Sequence, residues 1–381
     1  MSIVDQPAAP RTWSSAEKGV GLAILAHLVW GGMAVYFGLL RHISPIEIAA
    51  NRGLWSLPIA LLIVWYLGQF GEVVPHDILQ RYRVTCHDAR REDQLSFLGD
   101  TSRGTPVWVN RDYLEREIRI VVGVIEPHQF VGFSGGVKSA AIGLSGYATV
   151  THNHSMMAQP LARIGRYDDN PCRQDIEEMG RRIGVHLALN VILGEQKRII
   201  RAIAGTPLDV MRQGILHVRS LNQVEVGRPY DMMIVSPGVH PKDVNIYQAQ
   251  KALAHAALVT RPGGTILLAA ACPDGTGSQA YEDWMRHPDM DSHEAVIARF
   301  AREGYRIGPH KAFQISRDAS RFRVLLHSDM PPRLVARLLL TPAPDFHQAI
   351  NDAIDGLAPG SRIGIMPLAN ATIPVAGADS D

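Results

Sequence analysis

The stretch "IRIVVGVIEPHQFVGFSGGVKSAAIG", residues 118–143, joins a run of β-branched residues to a proline and a glycine-rich segment. The apolar run 118–125 predicts a buried strand, which Pro127 would end. The residues that follow predict a loop and the start of a helix. Side chains at the carboxyl end of a parallel strand commonly line the site of an α/β protein, which would place His128 at the mouth of a crevice.

The glycines of this stretch favour an anion site. Gly132, Gly135 and Gly136 have no side chain, so their backbone amides could approach a phosphate at the start of the following helix. The spacing is neither that of a P-loop nor that of the dinucleotide-binding GxGxxG pattern. The alternative interpretation is a glycine-rich turn beside a solvent-exposed Lys138.

The rest of the chain after about residue 75 alternates short apolar runs with amphipathic ones. Further strands are predicted over 186–193, 231–236, 264–271 and 321–327. Helices are predicted over 172–183, 207–220, 245–259, 292–303 and 345–357. This alternation predicts an α/β fold with open, largely parallel sheets and helices on both faces. We expect two such domains, over 75–226 and 229–369, and a loose tail over 370–381.

Two uncharged segments precede this globular part. Residues 19–40 and 53–70 contain no Asp, Glu, Lys or Arg. Each could cross a hydrocarbon core of roughly 30 Å as a helix, so we expect a two-helix hydrophobic hairpin after a tail over 1–18. A buried helical hairpin in a soluble core is the alternative.

The composition limits the remaining classes. The 38 Lys and Arg nearly balance the 37 Asp and Glu, so no nucleic-acid partner is indicated. Cys86, Cys172 and Cys272 are far apart and odd in number, which argues against a disulfide framework and against structural zinc. A reducing compartment is the simplest interpretation.

The segment "THNHSMM", residues 151–157, places His152 and His154 two positions apart. On an extended piece these side chains face opposite ways, so only one is expected to enter a site. Neutral imidazole is a good ligand for nickel, zinc or copper. A structural histidine is the alternative.

The segment 241–271 predicts a loop, a helix and a strand. Gln248 and Lys251 would share one face of the first turns of this helix. A lysine at that end opposes the helix dipole, so it would be better placed beside an anion. A surface glutamine and lysine are the alternative.

Together these residues resemble the nickel-pincer-nucleotide-dependent lactate racemase family over about residues 75–365. The most specific element is the spacing of His128, Lys138 and His154. The matching stretches are "RYRVTCHDAR" (81–90), "TSRGTPVWVNRDYLE" (101–115), "EPHQFVGFSGGVKS" (126–139), "HNHSMM" (152–157), "HPKDVNIYQAQKAL" (240–253) and "RPGGTILLAAACPDGTGS" (261–278). The resemblance implies two α/β domains with a cofactor cleft between them.

The resemblance also implies a cofactor, a nicotinate-derived mononucleotide that carries nickel in a pincer. Lys138 would hold this nickel-pincer nucleotide covalently through a thioamide, and His154 would complete the nickel coordination. Gly135, Gly136 and Tyr247 would contact the nucleotide.

The activity implied is that of an isomerase, the racemisation or epimerisation of a small 2-hydroxy acid by proton-coupled hydride transfer. His128 would act as acid and base on the substrate hydroxyl. Gln248 and Lys251 would face the site from the second domain, Lys251 as a donor to substrate or cofactor. The cofactor would carry the hydride.

The sequence departs from the family pattern near its start. Neither a "DxxRPxP"-type motif nor a "GxHRP"-type motif with a second acid/base histidine is present. The segment "AAIGLSG" (140–146) also lacks the proline that usually follows the lysine. Turnover is therefore expected to be impaired, and an inactive fusion remnant is one alternative.

The segment "KGVGLAILAHLVWGGMAVYFGLLRHISPIEIAANRGLWS" (18–56) resembles the drug/metabolite transporter (EamA-type) superfamily. The likeness covers two helices only, and a fragment of such a transporter is the other alternative. It implies attachment to the cytoplasmic membrane through residues 19–70, with the racemase-like region in the cytoplasm. The protein would be cytoplasmic if the hairpin does not insert.

Overall fold

The computed structural model describes residues 76–194 and 198–377. The predicted tail over 1–18 and the predicted hydrophobic hairpin over 19–70 lie outside the described residues. Within the described ranges, no helix is both long and apolar enough to cross a membrane. The chain divides into two compact units, Met1–Cys86 and His87–Asp381, and the first contributes helix α1 (His76–Arg81).

The first α/β part of the second unit surrounds the glycine-rich stretch. Its elements in chain order are β1 (Leu95–Asp100), β2 (Pro106–Asn110), α2 (Arg111–Leu114), β3 (Ile120–Val124), β4 (Pro127–His128), β5 (Gly132–Phe133), α3 (Lys138–Ala141), α4 (Tyr147–Ser155), α5 (Pro171–Ile183), β6 (Leu187–Leu193), β7 (Ile199–Gly205), α6 (Pro207–Asn222) and β8 (Gln223–Val226).

The main sheet of this part has the strand order β3-β6-β7 and is mixed. β3 runs parallel to β6, because the long connection between them contains three helices. β7 runs antiparallel to β6, because the short connection over 194–198 leaves no room for a crossover helix. The expectation of largely parallel sheets is therefore wrong for this strand pair.

The second α/β part carries a larger sheet. Its elements are β9 (Tyr230–Val235), α7 (Ile246–Ala256), β10 (Thr260–Ala269), α8 (Gln279–Met285), α9 (His293–Glu303), α10 (Pro309–Ala319), β11 (Arg323–His327), α11 (Pro332–Arg337), β12 (Thr341–Pro342), α12 (Phe346–Asp355), β13 (Ile363–Met366) and β14 (Ile373–Ala376). Five strands in the order β12-β11-β10-β9-β13 form a parallel sheet, which confirms the prediction for this part.

Both faces of the parallel sheet are buried. Along β10, Ile266 and Leu268 join one hydrophobic cluster, whereas Leu267 between them joins another. The second cluster contains Ala349 and Ala353 of α12, and the first contains residues of α7 and α10. A strand covered on both sides is an uninterrupted apolar run, which is why these strands could be predicted from sequence.

The expected loose tail over 370–381 is partly wrong. Strand β14 lies within it and pairs in parallel with β8, from Ile373 opposite Gln223 to Ala376 opposite Val226. Ile373 is buried in the main core. The small residues around β14 do not indicate a strand. Its partner strand lies about 150 residues earlier in the sequence, so no local pattern could predict the pairing.

Candidate functional site

The glycine-rich segment forms a tight ribbon in which His128 of β4 lies opposite Gly132 of β5. Gly132 has φ +78°, and a Cβ at this position would lie 1.6 Å from the carbonyl oxygen of Arg166. Only glycine fits this position. The ribbon therefore holds the backbone of His128 against the segment that contains Arg166.

The loop that follows packs differently from the phosphate seat expected from sequence. The amide of Gly136 donates to Asn190 Oδ1 at 2.8 Å, so this amide is occupied in the structure. A Cβ on Gly135 would lie 2.7 Å from the Ile125 side chain, and one on Gly136 would lie 2.6 Å from Met211. Close packing therefore accounts for both glycines.

Arg173 of α5 supports the loop from behind. Its side chain has no exposed surface, and its guanidinium donates to the carbonyl oxygens of Phe133 (3.0 Å) and Gly135 (3.2 Å). Glu177, one turn further along α5, accepts from Arg173 at 2.6 Å and from the Tyr167 hydroxyl at 2.8 Å. This buried ion pair was not predicted, although the sequence places an Arg and a Glu four positions apart on a predicted helix.

Lys138 begins α3 directly after this loop and is half-buried. Burial lowers its pKa, and the nearby Arg173 charge lowers it further, whereas Glu126 opposes both effects. A larger neutral fraction makes the amine more nucleophilic, which an amide-type bond to a cofactor requires.

The segment with the two other histidines is helical and not extended. His152 and His154 both lie on α4, so the expectation of an extended piece is wrong. Two positions on a helix still differ by about 200° in direction. His152 Nδ1 lies 2.8 Å from the Thr105 hydroxyl, whereas the His154 ring packs edge-on against Phe130 at 5.0 Å.

His128 and His154 share one apolar neighbour, because the Phe130 ring also lies 4.8 Å from the His128 ring. Burial holds the pKa of His128 well below its ordinary value, with further contributions from Lys138 and His154. Burial likewise lowers the pKa of His154 to about 4. Both rings are therefore neutral at pH 7, the form that accepts a proton or ligates a metal.

The second α/β part contributes α7. The side chain of Asn245, the residue before this helix, caps its first turn. Lys251 Nζ donates to Gln248 Oε1 at 2.9 Å, so the two residues predicted to share a helix face are in contact. Burial lowers the pKa of Lys251, and Glu126, just before β4, opposes this effect. The Lys251 charge also lowers the pKa of His128. Gln250 of α7 donates to Gln129, the residue after His128, at 2.7 Å, so the fold brings α7 against the glycine-rich segment.

Tyr247, which was predicted to contact the nucleotide, lies in a second group of side chains whose other members, His310, Lys311 and Tyr305, were not predicted. The Tyr247 hydroxyl lies 3.4 Å from His310 Nε2, and Lys311 Nζ lies 4.4 Å from the centre of the Tyr247 ring. Tyr305 packs against the rings of both His154 (5.7 Å) and His310 (5.0 Å). The available signal was a His-Lys pair in the first turn of a helix whose flanking residues are apolar.

The described side chains at this site are too few to bind a metal ion without further donor atoms. Within 76–194 and 198–377, no group of three or more His, Cys, Asp or Glu side chains could hold a metal ion. His154 offers one neutral imidazole, and the Lys138 charge contributes to its lowered pKa after burial. This arrangement fits a metal whose other donor atoms come from an organic cofactor held at Lys138.

Two family models match the chain. Residues 68–165 match the lactate racemase N-terminal domain, and residues 226–373 match the lactate racemase C-terminal domain. The first match begins within the last residues of the segment 53–70, for which a hydrophobic helix was predicted.

Two relatives are lactate racemases. That of Thermoanaerobacterium thermosaccharolyticum is 27% identical over 304 residues, which cover 78% of this chain and 70% of the relative. That of Lactiplantibacillus plantarum is 31% identical over 217 residues, which cover 56% of this chain and 50% of the relative.

Solved structures agree with the fold. The lactate racemase apoprotein from Thermoanaerobacterium thermosaccharolyticum has a TM-score of 0.76 at 26% identity, covering 81% of this chain and 75% of that one. A protein from Thermotoga maritima has a TM-score of 0.57 at 18% identity, covering 76% of this chain and 77% of that one. The second likeness concerns the fold alone.

Proposed function

We propose that the chain racemises or epimerises a small 2-hydroxy acid with a nickel-pincer nucleotide. It belongs to the lactate racemase family, because its two matched domains together span more than half of its length. One observation carries the proposal. The Phe130 ring packs against the rings of both His128 (4.8 Å) and His154 (5.0 Å), and burial together with the Lys138 charge lowers the pKa of both histidines.

Lys138 and His154 are the residues that would hold the cofactor, Lys138 covalently and His154 through the nickel. Tyr247 would contact the nucleotide, and so would the loop at Gly135 and Gly136, although the Gly136 amide itself is bound to Asn190. When bound, this cofactor supplies the acceptor for the hydride. The half-buried setting of Lys138 and His154 would keep water away from that acceptor.

His128 would move the proton. Its neutral imidazole can take the proton of the substrate hydroxyl as the carbon-bound hydride leaves, which yields a planar 2-keto acid. Returning the proton and the hydride on the other face gives the opposite enantiomer. Lys251, held by Gln248 at 2.9 Å, would donate to the substrate carboxylate.

Impaired turnover is part of the proposal. One histidine serves one face of the keto acid, and the sequence contains no "GxHRP"-type motif to supply a second base.

Attachment to the cytoplasmic membrane through residues 19–70 remains a prediction. A transporter fragment is the disfavoured alternative, since both lactate racemase domains match.

The state of Lys138 tests the proposal. We expect protein co-expressed with the cofactor-synthesising proteins and nickel to carry one nucleotide adduct, located on Lys138 by intact-mass measurement and peptide mapping. Lys138→Ala should abolish the adduct, whereas a matched change at the exposed Lys242, Lys242→Ala, should leave it unchanged.

A known lactate racemase expressed in the same cells serves as the positive control. If that control carries the adduct and Lys138 does not, the proposal is wrong. An adduct on Lys138 without interconversion of D- and L-2-hydroxy acids would instead favour the inactive remnant.

A further inference from the structure

Lys311 is a buried lysine for which the described residues provide no carboxylate partner. Its side chain lies in the first turn of α10 and is 2% exposed. Its ammonium donates to Gln314 Oε1 at 2.9 Å and lies over the Tyr247 ring at 4.4 Å. Within 76–194 and 198–377, it forms no salt bridge with a carboxylate.

A buried ammonium with only neutral partners is costly to retain. Burial therefore lowers the pKa of Lys311 well below its ordinary value, and the Lys251 charge lowers it further. Taking such a charge out of water costs several kcal/mol, which a hydrogen bond to an amide and a cation–π contact offset only in part. An anion that entered beside Lys311 would raise this pKa again and pair with the protonated amine. The surroundings of Lys311 therefore favour an anion-binding role over a purely structural one.

The charge of Lys311 affects the pKa of the histidines at the candidate site. Burial is the main cause of the lowered pKa values of His128, His154 and His310, and the Lys311 charge lowers all three further. Tyr247, over whose ring Lys311 Nζ lies at 4.4 Å, is one helical turn before Lys251 on α7. The two lysines of the second α/β part are therefore linked through Tyr247, and the charge of each lowers the pKa of His128.

A chain of glutamines connects Lys311 to the strand of His128. Gln250 Nε2 lies 3.4 Å from Gln314 Oε1 and donates to Gln129 Oε1 at 2.7 Å. Gln129 directly follows His128. The hydrogen-bond partner of Lys311 is therefore held in a fixed relation to the first α/β part.

We propose that Lys311 binds the carboxylate of the 2-hydroxy acid together with Lys251, a role that rests on the proposed function. A carboxylate has two oxygens and can accept from both ammonium groups at once. The site therefore selects 2-hydroxycarboxylates against neutral 2-hydroxy compounds of the same shape. Lys311 thereby provides a carboxylate contact that does not depend on a "DxxRPxP"-type motif.

Calorimetric titration of the full chain, purified after the co-expression described above, tests this role. The probes are L-lactate and its neutral analogue lactamide. We expect the native protein to prefer lactate, and Lys311→Met to weaken lactate binding at least tenfold with little change for lactamide. Lys242→Met, which removes an exposed lysine, should change lactate binding less than twofold.

Thermal unfolding without ligand separates binding from folding. Since methionine is apolar and of similar length, Lys311→Met should unfold at the same temperature as the native protein or higher. A lower midpoint together with equal losses for lactate and lactamide would reveal a structural role and overturn the proposal. So would native protein that does not prefer lactate.

The two proposals can fail separately. If Lys138 carries the adduct and Lys311→Met binds lactate as tightly as the native protein, only the role of Lys311 is wrong. If Lys138 carries no adduct but lactate binding still requires Lys311, the nickel-pincer function is wrong and the carboxylate site stands.

Discussion

Replacing Arg173 with methionine is expected to lower the free energy of unfolding by about 3–5 kcal/mol. The substitution leaves Glu177 as a buried carboxylate whose guanidinium partner at 2.6 Å is gone. It also leaves the carbonyl oxygens of Phe133 and Gly135 without the donor that holds the loop before Lys138. Urea denaturation followed by circular dichroism measures the loss.

The same helix provides a matched control. Arg182 and Glu178 are also four positions apart on α5 and lie 3.0 Å from each other, but the Arg182 side chain is 36% exposed. Arg182→Met should therefore cost no more than about 0.5 kcal/mol. Equal losses for the two variants would contradict the assignment of Arg173 as the buried support of the loop.

Replacing Gly132 with alanine is expected to cost roughly 3–5 kcal/mol, because a left-handed backbone and a steric clash act together. The Cβ would lie 1.6 Å from a backbone oxygen, so the ribbon itself must move. His128 is paired with Gly132 in that ribbon and should move with it. We expect a lower urea midpoint and little adduct on Lys138.

Gly263 separates the two contributions. Its φ is +75°, close to that of Gly132, but no atom lies within 4 Å of an added Cβ. Gly263→Ala should therefore show the backbone cost alone, about 1–2 kcal/mol. If Gly132→Ala loses no more stability than Gly263→Ala, the close approach to the Arg166 carbonyl does not constrain the ribbon.

Much of the fold followed from local patterns. The strands over β9, β10 and β11 and the helices α5, α6 and α7 begin and end within a few residues of their predicted bounds. Each is encoded by hydrophobic periodicity over about ten residues, which needs no knowledge of its neighbours. The pairing of β14 with β8 and the antiparallel β7 depend on partners or connections that periodicity does not report.

The candidate site divides in the same way. His128, Lys138, His154, Gln248 and Lys251 could be proposed from spacing and resemblance, because they lie in short distinctive segments. The helical setting of His154 could not, since a polar run such as "THNHS" has little periodicity to indicate a helix. The mean hydropathy of such a run is compatible with either conformation.

The sequence by itself determined the alternation of strands and helices and the segments that carry the chemistry, because both are local properties of the chain. Only the tertiary structure decided which charges lose their contact with water. Lys242 is exposed and Lys311 is buried, although both are isolated lysines near the start of a helix. The difference arises because burial and electrostatic interaction depend on residues that are distant in sequence and adjacent in space.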